Sequence, residues 1–299
     1  MSPTPHTFQF KALGGINEIQ FYYQLESEAQ EIAEKIIFEV QEIEKKFSRY
    51  QPDSIISVIN KNAGIAAVEV DQETAALIDY AAECWRQSEG LFDISSGILR
   101  QVWDFKNKRV PQEAELEKIL PLIGWEKVNW NNPHIFLTAP GMEIDFGGIG
   151  KEFAVDKLSG LMHGLGLESA LINLGGDVRV LGPQPDGSSW NVGVQHPRKT
   201  HETIAGIFIA KGAIATSGDY ERSFELNGKR YSHILNPKNG MPVEAFQSVT
   251  VISESCLVSG SLATLAMLKG EEKGLDFLNK CGKDYICIDS KSNVIRKNH

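Results

Sequence analysis

A polar segment around one histidine contains the residue types best suited to chemistry in this chain. Between Ala215 and Gly240 it runs Ala-Thr-Ser-Gly-Asp-Tyr-Glu-Arg and, after a short gap, Tyr-Ser-His-Ile-Leu-Asn-Pro-Lys-Asn-Gly. This composition predicts a loop that presents hydrogen-bond donors and acceptors to a ligand. His233 lies at its centre and could transfer a proton near neutral pH. A hydrogen-bonded structural histidine is the alternative interpretation.

A glycine-rich turn that ends in a lysine is a second candidate for ligand binding. Asp145-Phe-Gly-Gly-Ile-Gly-Lys151 is followed by Glu152, where a P-loop has Ser or Thr, so the P-loop pattern is not met. Backbone N–H groups at a helix start and a lysine ammonium nevertheless favour phosphate. A tight strand-to-helix turn with a solvated lysine is the alternative.

Three shorter segments combine polar residues with glycines or aromatic rings. They are Phe47-Ser-Arg-Tyr50, the stretch Ser88–Gly97 with Phe92 and Asp93, and Asn173-Leu-Gly-Gly-Asp177. Each one by itself is equally compatible with a helix end, a turn or a β-bulge.

The elements that must position these residues form a mixed pattern. Apolar residues at helical spacing predict helices over 26–47, from Asp71 to Gly90, over 113–120, from Lys151 to His163 and over 255–269. Short apolar runs predict strands over 170–174, 178–181, 190–194, 204–210 and 248–252. Because no βαβ rhythm and no repeat is present, we expect an α+β fold with a largely antiparallel sheet, in one compact domain over residues 1–299.

Composition limits the class of partner. The 299 residues are 42% hydrophobic with a net charge of −9 and no long Lys/Arg run, which argues against nucleic acid as a partner. No 18-residue apolar run predicts a membrane span, and the first residues lack the pattern of a secretory signal. The four cysteines have no C-x-x-C spacing, so reduced thiols and a cytoplasmic location are expected.

Taken in order, six segments resemble the ApbE family of FAD:protein FMN transferases, once named thiamine biosynthesis lipoproteins. The resemblance spans roughly residues 10–290. It implies an ApbE-like architecture related to the T-fold and a Mg²⁺-dependent enzyme. Such an enzyme splits FAD, attaches FMN to a Thr or Ser hydroxyl of an acceptor flavoprotein, and releases AMP. The segments are 47–60, 90–93, 145–151 with Asp156, 173–177, 216–220 and 233–240.

The resemblance also implies roles for individual residues. Gly148, through its backbone carbonyl, and Thr264 would bind Mg²⁺. His233 and Asp177 are our candidates for proton transfer or orientation. Contacts to FAD are implied for Leu13, Tyr50, Leu91, Phe92, Asp93, Asp145, Lys151, Thr216, Ser217, Gly218 and Ile234.

Two departures from the family pattern bear on catalysis. The helix that usually begins A-D-A-L-A-T, with the Asp and the Thr binding Mg²⁺, reads Ser259-Gly-Ser-Leu-Ala-Thr264, so Gly260 stands at the metal-ligand position. Ser259, Ser261 or a water could fill that position, with weaker binding. Glu152 also stands where the family has Gly. On the sequence alone, Gly260→Asp is expected to raise Mg²⁺ affinity.

Three functions therefore remain open at this point. The first is an FAD:protein FMN transferase. The second is an FAD- or nucleotide-binding protein that has lost catalysis together with the metal-binding Asp. The third is a Mg²⁺-dependent pyrophosphatase that hydrolyses FAD to FMN and AMP with water as the acceptor.

Overall fold

An eight-stranded antiparallel sheet organises the chain. A computed structural model describes residues 4–199 and 201–297. The strand order in the large sheet is β1-β2-β6-β7-β10-β13-β14-β15, and every pairing within it is antiparallel. The strands are β1 (His6–Ala12), β2 (Gly15–Phe21), β3 (Val68–Glu69), β4 (Val128–Asn131), β5 (His134–Leu137), β6 (Ala170–Leu174), β7 (Asp177–Val180), β8 (Trp190–Gln195), β9 (Thr203–Ile209), β10 (Gly212–Gly218), β11 (Ser223–Leu226), β12 (Lys229–Ser232), β13 (Ser248–Ser253), β14 (Asp284–Ile288) and β15 (Val294–Lys297).

The described part of the chain contains seven α-helices. They are α1 (Glu26–Phe47), α2 (Ile55–Lys61), α3 (Gln72–Gln87), α4 (Glu113–Ile119), α5 (Gly150–Gly164), α6 (Cys256–Lys269) and α7 (Glu271–Cys281). Helices α5 and α6 pack against each other and against strands β6, β7, β10 and β13. The β8–β9 ribbon packs against the other face through a smaller apolar cluster. The predicted α+β class with a largely antiparallel sheet is confirmed.

Local sequence explains the helices that were predicted. In α1 the apolar residues Ile32, Ile36, Val40 and Ile43 recur at three- and four-residue spacing, and all four are buried. At the start of α3, Asp71 accepts a hydrogen bond from the backbone N–H of Thr74 at 2.9 Å and so caps the helix. The apolar spacing therefore explains α1, whose N-terminus has no side-chain cap, and capping explains where α3 begins.

The polar segment from Ala215 to Gly240 is not a single loop, and that prediction was wrong. Its first residues belong to β10, in the interior of the large sheet, and its middle forms the β11–β12 hairpin. The backbone of β10 pairs with β7 on one side and β13 on the other. Such pairing stabilises a strand whose last residues, Ser217 and Gly218, favour a turn by composition.

A second apolar cluster lies apart from the main core. It joins the 3₁₀ segment Ile94–Gln101, the residues that follow it, α4 and the β11–β12 hairpin. Its aromatic rings form two stacked pairs. Trp103 stacks on Phe105 with 5.5 Å between ring centroids, and Phe224 stacks on Tyr231 with 5.2 Å between them. The indole N–H of Trp103 donates to the carbonyl of Gly240 at 2.8 Å. This aromatic cluster fixes the second wall of the cavity described below.

Candidate active site

A cavity of about 660 Å³ lies between the main core and the aromatic cluster. Its volume is within the range of about 300–1,000 Å³ that is usual for small-molecule and cofactor sites. All predicted site residues except Leu13 and Gly260 line it. They are Tyr50, Leu91, Phe92, Asp93, Asp145, Gly148, Lys151, Asp177, Thr216, Ser217, Gly218, His233, Ile234 and Thr264.

Leu13 is not among the residues that line this cavity. It lies in the turn between β1 and β2 with φ 53° and packs half-buried against the main core. In this structure the Leu13 side chain therefore contributes to packing, and its implied contact with FAD stays a prediction.

The Leu91-Phe92-Asp93 turn is held by the carboxylate of Asp93. That carboxylate accepts hydrogen bonds from the backbone N–H groups of Ser95 and Trp125, both at 2.8 Å. Burial raises the pKa of Asp93, although these hydrogen bonds partly oppose the shift. With its oxygens engaged in this way, Asp93 shapes the turn, and Phe92 is left to face the cavity.

The loop that begins at Asp145 is fastened from two sides by residues that sequence reasoning missed. The Asn60 side chain donates to the carbonyl of Ile144 at 3.0 Å and accepts from its N–H at 2.7 Å. Arg49 forms an ion pair with Asp145 at 3.1 Å and donates to the carbonyl of Gly97. Both residues lie in the 47–60 segment, whose matching pattern was the available signal.

Gly148 lies where the loop passes close to Phe92. A Cβ atom at position 148 would be 3.0 Å from Cε2 of that ring. A side chain here would therefore press on the aromatic wall, and glycine keeps the backbone of the loop next to the cavity.

Tyr50 forms the exposed rim of the cavity. Its side chain is 74% exposed, and the Arg49 guanidinium lies 5.4 Å from the ring centroid. An exposed ring held by a guanidinium is suited to stacking on a planar ligand.

Half-buried Lys151 and buried Asp177 form an ion pair at the base of the cavity. Their Nζ and Oδ2 atoms are 2.8 Å apart, and Asp177 is 2% exposed. Burial alone would lower the pKa of Lys151, but the carboxylates of Asp177, Glu152 and Glu221 together raise it above its usual value. Lys151 is therefore a permanent positive charge beside three carboxyl groups.

Glu152, the residue after this lysine, is a buried carboxylate that sequence reasoning did not place in the site. It is 7% exposed and lines the cavity, and its Oε2 atom has no hydrogen-bond partner among the described residues. Burial raises the pKa of Glu152, and the charge on Asp177 raises it further. A glutamate in a helix usually faces solvent, so the sequence alone gave no signal of its burial.

Glu152 occupies the space next to Gly260. A Cβ atom built on Gly260 would lie 2.5 Å from Cγ and 2.6 Å from Oε1 of Glu152. Restoring an aspartate at position 260 would therefore require the Glu152 side chain to move, and the effect of Gly260→Asp on Mg²⁺ affinity stays a prediction. Ser259 and Ser261 do not line the cavity, since Ser259 bonds to the hydroxyl of Ser253 and Ser261 to the hydroxyl of Tyr80.

Hydroxyl groups from β10 and α6 meet in the cavity wall. The Oγ atom of Ser217 lies 2.7 Å from Oγ1 of Thr264. Thr216 points to the other face of β10 and bonds across the sheet to Thr250 at 2.8 Å. Thr264 follows Gly260 by one helical turn, so both lie on one side of α6.

Asp156 fixes the position of α6 relative to α5. Its carboxylate accepts hydrogen bonds from the backbone N–H groups of Cys256 and Leu257, both at 2.9 Å, and from the hydroxyl of Ser255 at 2.7 Å. A carboxylate at a helix N-terminus satisfies free N–H groups and interacts favourably with the helix dipole. Glu152, one turn earlier on α5, is thereby held against α6.

His233 lines the cavity as a neutral imidazole. Burial, followed by the positive charges of Arg222 and Lys151, lowers the pKa of His233 to about 4. Its Nδ1 atom has no partner among the described residues. A neutral imidazole with a free nitrogen can accept a proton at neutral pH, but it is not a reservoir of protons there.

The oxygen donors of this cavity are compatible with a hard divalent cation. Mg²⁺ is usually held by one or two carboxylates together with other oxygens and substrate phosphates. Glu152 offers an unpaired carboxylate oxygen, and Ser217 and Thr264 offer hydroxyls. Over residues 4–199 and 201–297, no group of three or more His, Cys, Asp or Glu side chains forms a metal-binding cluster. A site of this kind would therefore depend on few charged ligands.

No helix within the described part of the chain is both long and apolar enough to span a membrane.

Comparisons with known proteins agree with this geometry. The ApbE family model matches residues 13–287. The chain is 31% identical to an FAD:protein FMN transferase of Vibrio cholerae, covering 79% of this chain and 72% of the relative. It is 32% identical to one of Klebsiella pneumoniae, covering 84% and 79%.

Solved structures show the same similarity. The ApbE protein of Thermotoga maritima superposes with a TM-score of 0.90 at 31% identity, covering 98% of this chain and 97% of that one. The flavin transferase ApbE of Vibrio cholerae superposes with a TM-score of 0.86 at 25% identity, covering 98% and 97%.

Proposed function

This chain belongs to the ApbE family, and on that basis we propose that it is an FAD:protein FMN transferase. One observation carries the proposal: segments from residue 49 to residue 268 converge on a single cavity, and they include all six segments of the family pattern. The cavity combines an aromatic rim, a lysine paired with a buried aspartate, and a set of oxygen ligands. FAD has a planar ring system and a pyrophosphate, which such groups can bind.

The reaction exchanges one phosphorus–oxygen bond for another. The hydroxyl oxygen of a Thr or Ser on the acceptor flavoprotein attacks the phosphorus on the flavin side of FAD. The bond from that phosphorus to the bridging oxygen breaks, and AMP leaves with the bridging oxygen. The hydroxyl proton is taken up by a base. Catalysis of such a step depends mainly on positioning and on neutralising the phosphate charge.

Residues of the chain have distinct roles in this proposal. Lys151 neutralises charge on the pyrophosphate, and Asp177 holds its ammonium in place at 2.8 Å. The turn from Asp145 to Lys151 offers N–H groups at the start of α5. His233, neutral and with Nδ1 unpartnered, accepts the proton of the acceptor hydroxyl.

We extend the proposal to Mg²⁺ as the cofactor. The carbonyl of Gly148 and the hydroxyl of Thr264, both in the cavity wall, would hold it together with a carboxylate. When bound, Mg²⁺ supplies positive charge that stabilises the developing charge on the phosphoryl oxygens.

The proposal also includes the cellular location. The four cysteines form no disulfide within the described part of the chain. Free thiols are typical of a reducing compartment, which favours the cytoplasm. Fractionation of cells that produce this chain tests the location.

The test uses the purified chain, FAD, Mg²⁺ and a flavoprotein with a Thr or Ser acceptor. A transferase gives covalent flavin fluorescence in the acceptor band of a denaturing gel, with one AMP released per flavin attached. Free FMN and AMP without an acceptor would indicate the pyrophosphatase. Calorimetric FAD binding that EDTA leaves unchanged, without any AMP release, would indicate the catalytically impaired binding protein.

A further inference from the structure

We propose that Glu152 supplies the carboxylate of a divalent-cation site in this cavity, from α5 instead of α6. This inference rests on the proposed function, because it assigns a ligand for the cation of that reaction. In this proposal Glu152 provides the carboxylate, and Gly260 leaves the space that the carboxylate occupies.

The first observation is an unpaired oxygen in a buried position. Glu152 is 7% exposed and faces the cavity, and its Oε2 atom has no hydrogen-bond partner among the described residues. Leaving a buried carboxylate oxygen unsatisfied costs free energy, and a bound cation removes that cost. Oδ2 of the neighbouring Asp177 likewise accepts no well-aligned hydrogen bond, but the positive charge of Lys151 lies 2.8 Å from it. Glu152 is therefore the carboxylate with capacity for another positive charge.

The second observation is the absence of a side chain on α6 at the point of contact. A Cβ atom on Gly260 would lie 2.5, 2.6 and 2.9 Å from Cγ, Oε1 and Cδ of Glu152. Real Cβ atoms do not approach other atoms so closely, so any larger residue at 260 displaces the Glu152 carboxylate. Glycine in the middle of a helix costs about 1 kcal/mol relative to alanine. Its presence here is explained by the carboxylate that it accommodates.

The third observation is that further oxygen-bearing residues line the same cavity as Glu152. Oε1 of Glu152 lies beside Gly260, and Thr264 follows one turn later on the same side of α6. The Thr264 hydroxyl meets that of Ser217 at 2.7 Å, and both line the cavity with Gly148. A carboxylate and two hydroxyls that line one cavity with Gly148 are oxygen ligands of the kind that Mg²⁺ or Mn²⁺ accepts once phosphate and water complete the site.

The position of the carboxylate is set by the Asp156 cap. Asp156 receives three hydrogen bonds from the first turn of α6, at 2.7, 2.9 and 2.9 Å. The two helices are thereby held in a fixed relative position one turn from Glu152. A carboxylate on either helix could then reach the same place, from residue 152 or from residue 260.

The test measures Mn²⁺ binding to the full chain with FAD present, by the loss of the electron paramagnetic resonance signal of free Mn²⁺. Glu152→Gln keeps the shape of the side chain and removes its charge. Glu221→Gln is the matched control, because Glu221 also lines the cavity and contributes negative charge. The double variant Glu152→Gly with Gly260→Asp moves the carboxylate to α6.

We expect Glu152→Gln to weaken Mn²⁺ binding by at least about tenfold, the lower end of losses caused by changes around metal sites. Glu221→Gln should change it by no more than about threefold, since it removes only screened, longer-range attraction. The double variant should bind Mn²⁺ within about tenfold of the unaltered chain, and better than Glu152→Gln. FAD binding in EDTA, followed by flavin fluorescence, should be similar in all variants and shows that the cavity is intact.

Two results would overturn the inference: Mn²⁺ binding that Glu152→Gln leaves unchanged, and equal losses in the Gln variants of residues 152 and 221. Failure of the double variant to fold would leave the comparison of the two Gln variants decisive. A different result would contradict the proposed function alone: Mn²⁺ binding would still depend on Glu152, but no acceptor protein would be flavinylated.

Discussion

The contact between Gly260 and Glu152 predicts a large coupling energy between two residues that are distant in sequence. The perturbation is Gly260→Ala, made in the unaltered chain and in a Glu152→Ala background. Alanine at 260 places a Cβ atom 2.5 Å from Cγ of Glu152. In the Glu152→Ala background every atom of that close contact is absent.

The magnitude follows from two opposing effects. Replacing glycine by alanine in a helix interior stabilises the helix by about 1 kcal/mol. Forcing an extra carbon into a packed site costs about 1–3 kcal/mol. In the unaltered chain, Gly260→Ala should therefore lower the free energy of unfolding by about 0–2 kcal/mol. In the Glu152→Ala background it should stabilise by up to about 1 kcal/mol. The coupling energy of this double-mutant cycle is then about 1–3 kcal/mol.

The assay is urea unfolding in the presence of EDTA, so that metal binding does not contribute. Tryptophan fluorescence and circular dichroism should give coincident transitions, which a chain of this length must be shown to do before the free energies are compared. Additive effects, with a coupling energy below about 0.5 kcal/mol, would refute the close contact between these two positions.

Three further outcomes are expected. Asp156→Ala should lower the free energy of unfolding by about 1–3 kcal/mol, because the N-terminus of α6 loses its hydrogen-bond acceptor. Lys151→Met should weaken FAD binding by about 1.5–3 kcal/mol through loss of a charged donor, measured by flavin fluorescence. His233, whose pKa falls from 6.5 to about 4, should stabilise the fold fully above pH 6.5 and lose that contribution as the pH falls towards 4. Urea unfolding at pH 7 and pH 4.5 should therefore show a smaller loss for His233→Asn than for the unaltered chain.

Matched variants separate these effects from general disruption. Lys157→Met removes an ion-paired lysine from the same helix as Lys151, but outside the cavity, and should leave FAD affinity unchanged. Asp156→Asn retains acceptor capacity and should cost less than Asp156→Ala. For His233, an equal acid-induced loss in His233→Asn and in the unaltered chain would contradict the assigned protonation state.

The sequence predicted those elements in which local preference and tertiary environment agree. The four-residue spacing of Ile32, Ile36 and Val40 is sufficient to predict helix α1, because one face of that helix is buried along its length. Strand β10 was missed because its last residues, Ser217 and Gly218, favour a turn by composition. The hydroxyls of Thr216 and Ser217 are satisfied by Thr250 and Thr264, which come from elements much later in the chain.

The sequence predicted which residues line the site, but it did not predict their burial or their charge environment. Ordered motifs identified the residues that line the cavity, but they did not show that Glu152 is buried. Its burial depends on the absence of a side chain at Gly260, more than 100 residues later in the sequence. Leu13 was the opposite case, since its implied role depended on the family pattern and the structure places it outside the cavity wall.

The close approach of residues 152 and 260 also constrains how this arrangement could have arisen from one with aspartate on α6. A chain with glutamate at 152 and aspartate at 260 would force two carboxylates into a space that holds one. Acquiring Glu152 first therefore meets a steric and electrostatic barrier. Losing the aspartate first leaves a gap that a later glutamate can fill. Replacing the aspartate before acquiring Glu152 therefore avoids the clash, and the intermediate has no carboxylate from either helix at this place.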